Sequence, residues 1–341
     1  MMRPDAFDIL WTGFRGLDAE EVKGPEAGAV ILFARNLDPD PVTGPGRCHR
    51  LIQGLQARWG GEVPLAVALD QEGGAVSRLK GWVGPTPGFR AIWERGGGAA
   101  CARWGELWGR GLRLLGISVD FAPVADLWDG FEGTGQGDRC ASGDAWAVAE
   151  AAGSFLNGLE STGVRGCLKH FPGLGGTQVD SHQALPELRD MAQIARNLQP
   201  FRALAHRERL VMVAHLKTPG TCGLPASLHR GTVEGNPWGI RGRWIPDDLE
   251  MGGCQEWNWT DRVRLCLEAG HQSLLVCQTD EGIGACAEVL AELTESRWAP
   301  ARARFLALRK NLLPPPRDGF DPGAWRLWLE EIQREAAGSW E

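Results

Sequence analysis

One segment of the chain carries a basic pair and, further on, an acid close to an imidazole: KHFPGLGGTQVDSHQALP, residues 169–186. Lys169 and His170 open this segment directly after the apolar run 164–168, which predicts a strand. The prolines and glycines that follow exclude regular structure, and they predict a mobile loop that carries Asp180 and His182. A carboxylate that accepts one imidazole N–H fixes the tautomer and raises the basicity of the other nitrogen. We therefore expect general acid–base chemistry on a loop that moves when substrate binds.

Other polar residues fall at the ends of further predicted strands. They are Asp70, Gln71 and Glu72 after 65–69; Asp126, and further along Asp138 and Arg139, after 117–124; His215 within 210–216; and Asp247 and Asp248 after 242–245. In a barrel of parallel strands these ends share one face, where the active site is assembled. The pattern predicts an enzyme.

Four of these positions also admit simpler roles. Asp126 can cap the next helix, and His215 can be a core histidine with satisfied hydrogen bonds. Asp248 is expected to be a cap or an outward-facing partner. Arg139 directly follows Asp138, and such a pair can form a surface salt bridge that contributes little to stability.

Apolar runs alternate with helical patterns along the whole chain. Strands are predicted at 8–14, 29–33, 65–69, 117–124, 164–168, 210–216, 242–245 and 273–277. Helices are predicted at 48–59, 99–115, 145–159, 191–206, 260–268, 281–294, 301–311 and 322–336. Continuously apolar strands between helices indicate a parallel sheet that is buried on both faces. The fold class predicted is α/β, a (β/α)8 TIM-type barrel, as a single domain over 1–341 with C-terminal helices from about 298.

Composition excludes several classes of partner. The net charge of −7 argues against nucleic acid and anionic membrane surfaces, and no apolar run approaches the ~18 residues of a membrane span. The N-terminus does not resemble a signal peptide. Nine scattered cysteines without a CxxC pair predict buried free thiols, hence a cytoplasmic location and no bound metal.

Three motifs together resemble a known family. They are residues 169–186 above, ALDQEGGAVSRL at 68–79 and IPDDLEMGG at 245–253. They are similar to the glycoside hydrolase family 3 β-N-acetylglucosaminidases, of the single-domain kind used in bacterial peptidoglycan recycling. The resemblance spans roughly residues 8 to 290 and implies a (β/α)8-type barrel that needs no cofactor.

The resemblance also implies roles for eight residues. Asp247 matches the nucleophile, His182 the unusual acid/base and Asp180 its dyad partner. Five residues match those that bind the terminal N-acetylglucosamine in the family: Asp70, Arg78, Arg139, Lys169 and His170. Retaining hydrolysis needs a nucleophile on one side of the anomeric carbon and a proton donor at the leaving oxygen, which these residues would supply. The implied activity is an exo-β-N-acetylglucosaminidase that acts on small carbohydrates such as muropeptides.

The sequence departs from the family pattern in places. Pro246 stands where Ser or Thr usually precedes the nucleophile, which puts the aim of Asp247 in question because proline lacks an N–H. Ala75 replaces a usual Arg, Leu174 replaces a frequent His, and Gln272-Ser273 replaces a frequent Asp-Met.

Three alternatives to the leading hypothesis stay open. The chain can be a family member with another sugar preference or with phosphate as acceptor. It can be a barrel that binds amino-sugars without turnover, for which Pro246 is the only support. A metal-dependent hydrolase is a further alternative, because Asp180 and His182 have a DxH spacing, but no HxH accompanies it.

Overall fold

Eight parallel strands form a nearly closed barrel in the computed structural model, which describes residues 5–60, 63–130 and 136–338. The barrel strands are β1 (Leu10–Thr12), β2 (Ala29–Ile31), β3 (Ala66–Leu69), β6 (Val119–Asp120), β7 (Arg165–Phe171), β8 (Leu210–Val213), β9 (Arg243–Pro246) and β10 (Leu274–Val276). Between β3 and β6, β4 (Gln71–Gly73) and β5 (Val76–Ser77) form an antiparallel hairpin. The predicted fold class is confirmed. The single-domain boundaries stay a prediction, and the first four and last three residues lie outside the described ranges.

Nine α-helices occur within the described part of the chain, most of them around the barrel. They are α1 (Gly44–Leu55), α2 (Lys80–Val83), α3 (Phe89–Leu115), α4 (Ala145–Ser161), α5 (Met191–Leu204), α6 (Trp259–Ala269), α7 (Asp280–Glu292), α8 (Glu295–Arg309) and α9 (Pro322–Ala337). Side-chain caps fix several starts, as at α4, where Asp144 accepts hydrogen bonds from the N–H groups of Trp146 and Ala147.

Three predicted helix starts were wrong. Helix α1 begins at Gly44 and not at 48. Helix α3 begins at Phe89 and kinks at Gly96 and Gly97, where the backbone leaves helical angles. Glycines interrupt the apolar periodicity in its first part, which is why the prediction began at 99. Helix α8 begins at Glu295, so Pro300 lies inside it and not before its first turn. Its polar first turn carries no apolar periodicity, which is why the prediction began at 301.

The barrel interior is filled by inward-facing side chains. Among them, Trp11 of β1 packs against Phe121, with ring centroids 5.3 Å apart, and against Phe305 of α8, at 5.5 Å. Phe305 and Leu308 join this inner cluster. The outward faces of the strands pack on the helices in a second, larger apolar cluster. The two layers hold the strand ends rigidly, which is the condition for a precise site at one face.

The barrel has a seam between β9 and β10. In the described residues the strand order runs from β10 through β1 round to β9, and β9 and β10 share no ladder. Two backbone hydrogen bonds between described residues cross the seam: the N–H of Gln272 donates to Trp244 O at 3.0 Å, and that of Leu249 to Leu275 O at 2.9 Å. Pro246 lies on this seam-facing strand.

Proline is compatible with position 246 because the N–H that another residue would have there would point away from the paired strand β8. Along a strand, successive N–H groups point to opposite sides. The N–H of Asp247 donates to Val213 O at 2.9 Å, toward β8. The preceding position therefore faces the seam, where no ladder bond is lost. Pro246 leaves the backbone bond that positions Asp247 intact.

The nine cysteines are free thiols, of which eight are buried and Cys222 is exposed. None of the described helices is long and apolar enough to cross a membrane.

Candidate active site

A cleft of about 780 Å³ opens at the carboxyl ends of the barrel strands. Its lining includes every residue that the sequence predicted for the site: Asp70, Arg78, Arg139, Lys169, His170, Asp180, His182 and Asp247. These residues lie at the end of β7 or after β3, β5, β6, β7 and β9, so five segments converge on one space. The structure thus brings the eight residues together.

A buried network of charges forms one wall of the cleft. Lys169, only 2% exposed, places its Nζ 2.8 Å from Asp70 Oδ1 and 2.7 Å from Glu72 Oε1. Arg78 Nη2 lies 3.1 Å from the other oxygen of Asp70. Arg139 forks onto Glu72, with Nε at 2.8 Å and Nη2 at 3.0 Å. Three cations, Arg78, Arg139 and Lys169, are thus held by the two carboxylates.

This network keeps its groups ionised although they are buried. Burial alone would raise the pKa of Glu72, but the charges of Arg139 and Lys169 outweigh it and lower that pKa to about 2. Burial likewise opposes ionisation of Asp70, and Lys169 and Arg78 hold its pKa well below the usual range. The two carboxylates in turn raise the pKa of Lys169 despite its burial.

Glu72 was named from the sequence as a polar residue after a strand, but it was left out of the predicted site. It is 5% exposed, lines the cleft and contacts two of the predicted residues. The signal that could have found it is charge balance, because buried Lys169 and Arg139 require carboxylates within reach.

His170 is oriented by Asp126. The Nδ1 of His170 lies 2.6 Å from Asp126 Oδ2, and Asp126 is fully buried. The other oxygen of Asp126 accepts the N–H of Leu174 at 2.8 Å. Asp126 therefore caps no helix. It fixes the ring of His170 and the start of the loop together.

Asp247 stands at the end of β9, half-buried and directed by short-range bonds. Its Oδ1 accepts the N–H of Asp248 at 2.9 Å. Asp248 itself is 4% exposed, and its Oδ2 accepts hydrogen bonds from the thiol of Cys277 and from Gln278 Nε2, both at 3.0 Å. The expectation of an outward-facing Asp248 was wrong. Burial raises the pKa of Asp248 to about 6.

His215 is a core histidine, as its simpler role predicted. Its Nδ1 lies 2.7 Å from Ser227 Oγ, and its Nε2 lies 2.8 Å from the carbonyl oxygen of Asp248. Burial lowers the pKa of His215, so the neutral ring is favoured. It supports the backbone beneath the Asp247 segment.

The glycine-rich loop after β7 is anchored at its start. Asn197 of α5, fully buried, donates from Nδ2 to Gly173 O at 3.0 Å and to Gly175 O at 2.8 Å. Gly173 has φ +116°, and a Cβ there would lie 2.5 Å from the Cβ of Asn197. These contacts hold the start of the predicted mobile loop in place, and the residues after Gly175 lie beyond them.

The far end of this loop carries the dyad. His182 Nδ1 lies 2.7 Å from Asp180 Oδ1, which also accepts the backbone N–H of His182 at 2.9 Å. The carbonyl oxygens of His182 and Ser181 accept hydrogen bonds from the N–H groups of Gly252 and Gly253, at 3.2 and 3.1 Å. The dyad is thereby linked through backbone to the segment that follows Asp247. Among the described residues, no group of three His, Cys, Asp or Glu side chains could hold a metal ion.

A family model and curated relatives match most of the chain. The model of the Glycosyl hydrolase family 3 N terminal domain matches residues 7–308. A beta-hexosaminidase of Pseudomonas aeruginosa (strain LESB58) is 33% identical over 277 residues, which are 79% of this chain and 81% of that protein.

Solved structures share the fold over most of the chain. A glycoside hydrolase family 3 beta-N-acetylglucosaminidase from Paenibacillus sp. str. FPU-7 superposes with a TM-score of 0.83 at 28% identity, over 98% of this chain and 69% of that one. NagZ from Neisseria gonorrhoeae, in complex with N-trifluoroacetyl-D-glucosamine, superposes with a TM-score of 0.76 at 25% identity, over 96% and 98% of the two chains.

Proposed function

The chain belongs to glycosyl hydrolase family 3 and is a glycoside hydrolase of the beta-N-acetylhexosaminidase class, and from this premise we propose that it is a retaining exo-β-N-acetylglucosaminidase. Its proposed substrates are peptidoglycan fragments in which terminal N-acetylglucosamine is β-linked to muramic acid. One observation carries the proposal: the cleft is lined by Asp247, by the His182–Asp180 dyad and by the charged network around Lys169.

The charged network suits the recognition of sugar hydroxyls. Asp70 and Glu72 present carboxylate oxygens, and Arg78 and Lys169 present N–H donors, all held in place by one another. With Nδ1 of His170 committed to Asp126, its other ring nitrogen is left for a hydroxyl. Such pre-oriented groups bind a ligand without further loss of side-chain freedom. The NagZ complex with an N-acylated glucosamine supports an amino-sugar in the corresponding cleft.

The proposed reaction has two steps. Asp247 attacks the anomeric carbon and forms a glycosyl–enzyme ester, while His182 donates its Nε2 proton to the departing glycosidic oxygen. Water then attacks the same carbon, His182 takes a proton from that water, and the ester bond to Asp247 breaks. Asp180 keeps the Nδ1 proton of His182 in place in both steps, which leaves Nε2 as the atom that exchanges protons.

Assays with p-nitrophenyl N-acetyl-β-D-glucosaminide, and with p-nitrophenyl β-D-glucoside for comparison, test the proposal. We expect release from the amino-sugar alone, and its loss by at least about 10³-fold in Asp247→Ala. Asp318→Ala, an exposed loop position, is the matched control and keeps full activity. Absence of release from both substrates would favour a binding protein without turnover, and unchanged activity of Asp247→Ala would refute the assigned nucleophile.

The same assay separates the remaining alternatives. Preferential release from the glucoside would indicate another sugar specificity. Repeating the assay with and without inorganic phosphate, and analysing the product for a sugar 1-phosphate, tells water from phosphate as the acceptor. The cytoplasmic location stays a prediction from the cysteines.

A further inference from the structure

A second groove lies at the opposite end of the barrel from the cleft, where β8, β9 and β10 begin. It is an open groove of about 1100 Å³ between these strand ends and α8. Its floor is apolar and includes Ile240 and Trp244, which are 5% and 7% exposed. The groove lies over the seam of the barrel, since Trp244 belongs to β9 and Gln272 precedes β10.

The mouth of the groove is positively charged, in contrast to the chain as a whole. Four arginines line it against two glutamates. Arg243 is paired with Glu208, and Arg304 donates to the carbonyl oxygens of Gly270 and His271. Arg207 and Arg241 form no ion pair or hydrogen bond with the described residues, and both are exposed. Two guanidinium groups are thus available to an anion.

A buried side-chain amide at the base of the groove lacks partners. Gln272 is 1% exposed and lines the groove, yet neither its Nε2 nor its Oε1 forms a hydrogen bond with the part of the chain that the structure describes. Buried polar groups are satisfied in nearly all native proteins, because leaving them unpaired is costly. The NH2 group of this amide can donate and its oxygen can accept, side by side, so a peptide group, which has a carbonyl acceptor and an N–H donor, is complementary to it.

We infer that this groove is a second binding site, for a small N-acylated peptide with a free carboxylate. The carboxylate would bind Arg207 and Arg241, a peptide group would pair with both atoms of Gln272, and the apolar floor would hold a small side chain. Inorganic phosphate has no apolar part, so it would leave the floor formed by Ile240 and Trp244 uncovered. The site is separate from the cleft and does not depend on the proposed reaction.

Calorimetric titration of the whole chain with N-acetyl-alanyl-alanine tests this inference, with its C-terminal amide and inorganic phosphate as comparison ligands. We expect saturable binding of the dipeptide acid. The amide and phosphate should each bind at least about tenfold more weakly than the acid, and Arg241→Gln should weaken binding of the acid by a similar factor. Arg326→Gln, an exposed arginine on α9, is the matched control and binds like wild type. Asp247→Ala should also bind like wild type, because the cleft is not involved.

Gln272→Leu provides an independent measurement. Because the substitution removes two unpaired buried atoms, the free variant should be at least as stable to heat as wild type, but the dipeptide should no longer raise its melting temperature. The inference is overturned if no ligand binds, if phosphate binds as well as the dipeptide, or if N-acetylglucosamine displaces the dipeptide. Retention of the dipeptide-induced stabilisation in Gln272→Leu would also overturn it.

Discussion

The imidazole of His182 is held by Asp180 at 2.7 Å although 66% of the His182 side chain is exposed. Exposure leaves room for a leaving group beside Nε2, while the carboxylate fixes the ring. A proton donor of this kind matters most when the leaving group is a poor one, and this gives the first prediction.

His182→Ala should lose activity in proportion to the basicity of the leaving group. The phenyl N-acetyl-β-glucosaminide should suffer the full loss of acid catalysis, roughly 10²–10⁴-fold, whereas the p-nitrophenyl compound should suffer less because p-nitrophenolate leaves with little protonation. Comparing kcat/KM for the two substrates measures this. His206→Ala, an exposed surface histidine, should change neither. Equal losses on both substrates would contradict the role of His182 as acid.

Glu72→Gln should destabilise the protein strongly. It leaves Arg139 without its forked carboxylate and removes one of the two anions around Lys169, although all three side chains are largely buried. Removing one partner of a buried ion pair typically costs about 3–5 kcal/mol. Urea unfolding followed by tryptophan fluorescence measures the change. Glu187→Gln, which breaks the exposed pair with Arg189, is the control and should leave the urea midpoint almost unchanged. Similar midpoints for both variants would show that the network contributes no stability.

Asp248 should make the protein less stable as the pH rises from about 4 to about 6. Its pKa is raised from the ordinary 3.8 to about 6 by burial, so below 3.8 the carboxyl is protonated in both the folded and unfolded states. Between these values the unfolded chain releases the proton and the folded chain keeps it, which favours unfolding by roughly 3 kcal/mol once both states are ionised. Asp248→Asn lacks this effect.

Unfolding free energies of wild type and Asp248→Asn, measured from pH 3.5 to 7.5, test whether Asp248 lowers the stability as the pH rises. As the pH rises, the unfolding free energy of the variant should increase relative to that of wild type, and this difference should become constant above about pH 6. A constant difference across the range would show that Asp248 titrates normally in the folded protein.

Asn197→Ala should loosen the loop that leads to the dyad. Two carbonyl oxygens, those of Gly173 and Gly175, lose their shared donor, which costs about 1–3 kcal/mol locally. Amide hydrogen exchange over residues 173–182 should quicken by about 10-fold or more, with a parallel fall in kcat. Asn311→Ala, at an exposed helix end, serves as the control. Unchanged exchange in Asn197→Ala would mean that other contacts hold the loop.

The sequence predicted the barrel from local signals, and the cleft residues from local signals together with the resemblance to a family, which alone pointed to Arg78. Apolar runs mark strands wherever they occur, and polar residues such as Asp70 and Asp247 follow directly after them. Boundaries failed where the local pattern was weak, as at the glycine-rich start of α3 and the polar start of α8.

The pairing of residues distant in the chain was not readable in the same way. Which carboxylate meets Lys169, and that Asp126 serves His170 rather than a helix end, depend on how β3, β6 and β7 lie side by side. Burial of Asp248 and of Asn197 likewise arises from packing that no single segment specifies. Charge balance is the one rule that could have pointed to Glu72 beforehand.

The seam has a consequence for how this protein avoids association with itself. A barrel with seven ladders has two edge strands, and an exposed edge can pair with a strand from another molecule and start aggregation. Here the two edges, β9 and β10, face each other, and a proline stands on β9 next to Asp247. Because proline cannot donate a ladder bond, an invading strand would find no donor at the last residue of β9. Pro246, whose missing N–H put the orientation of Asp247 in question, therefore also protects the chain against edge-to-edge assembly.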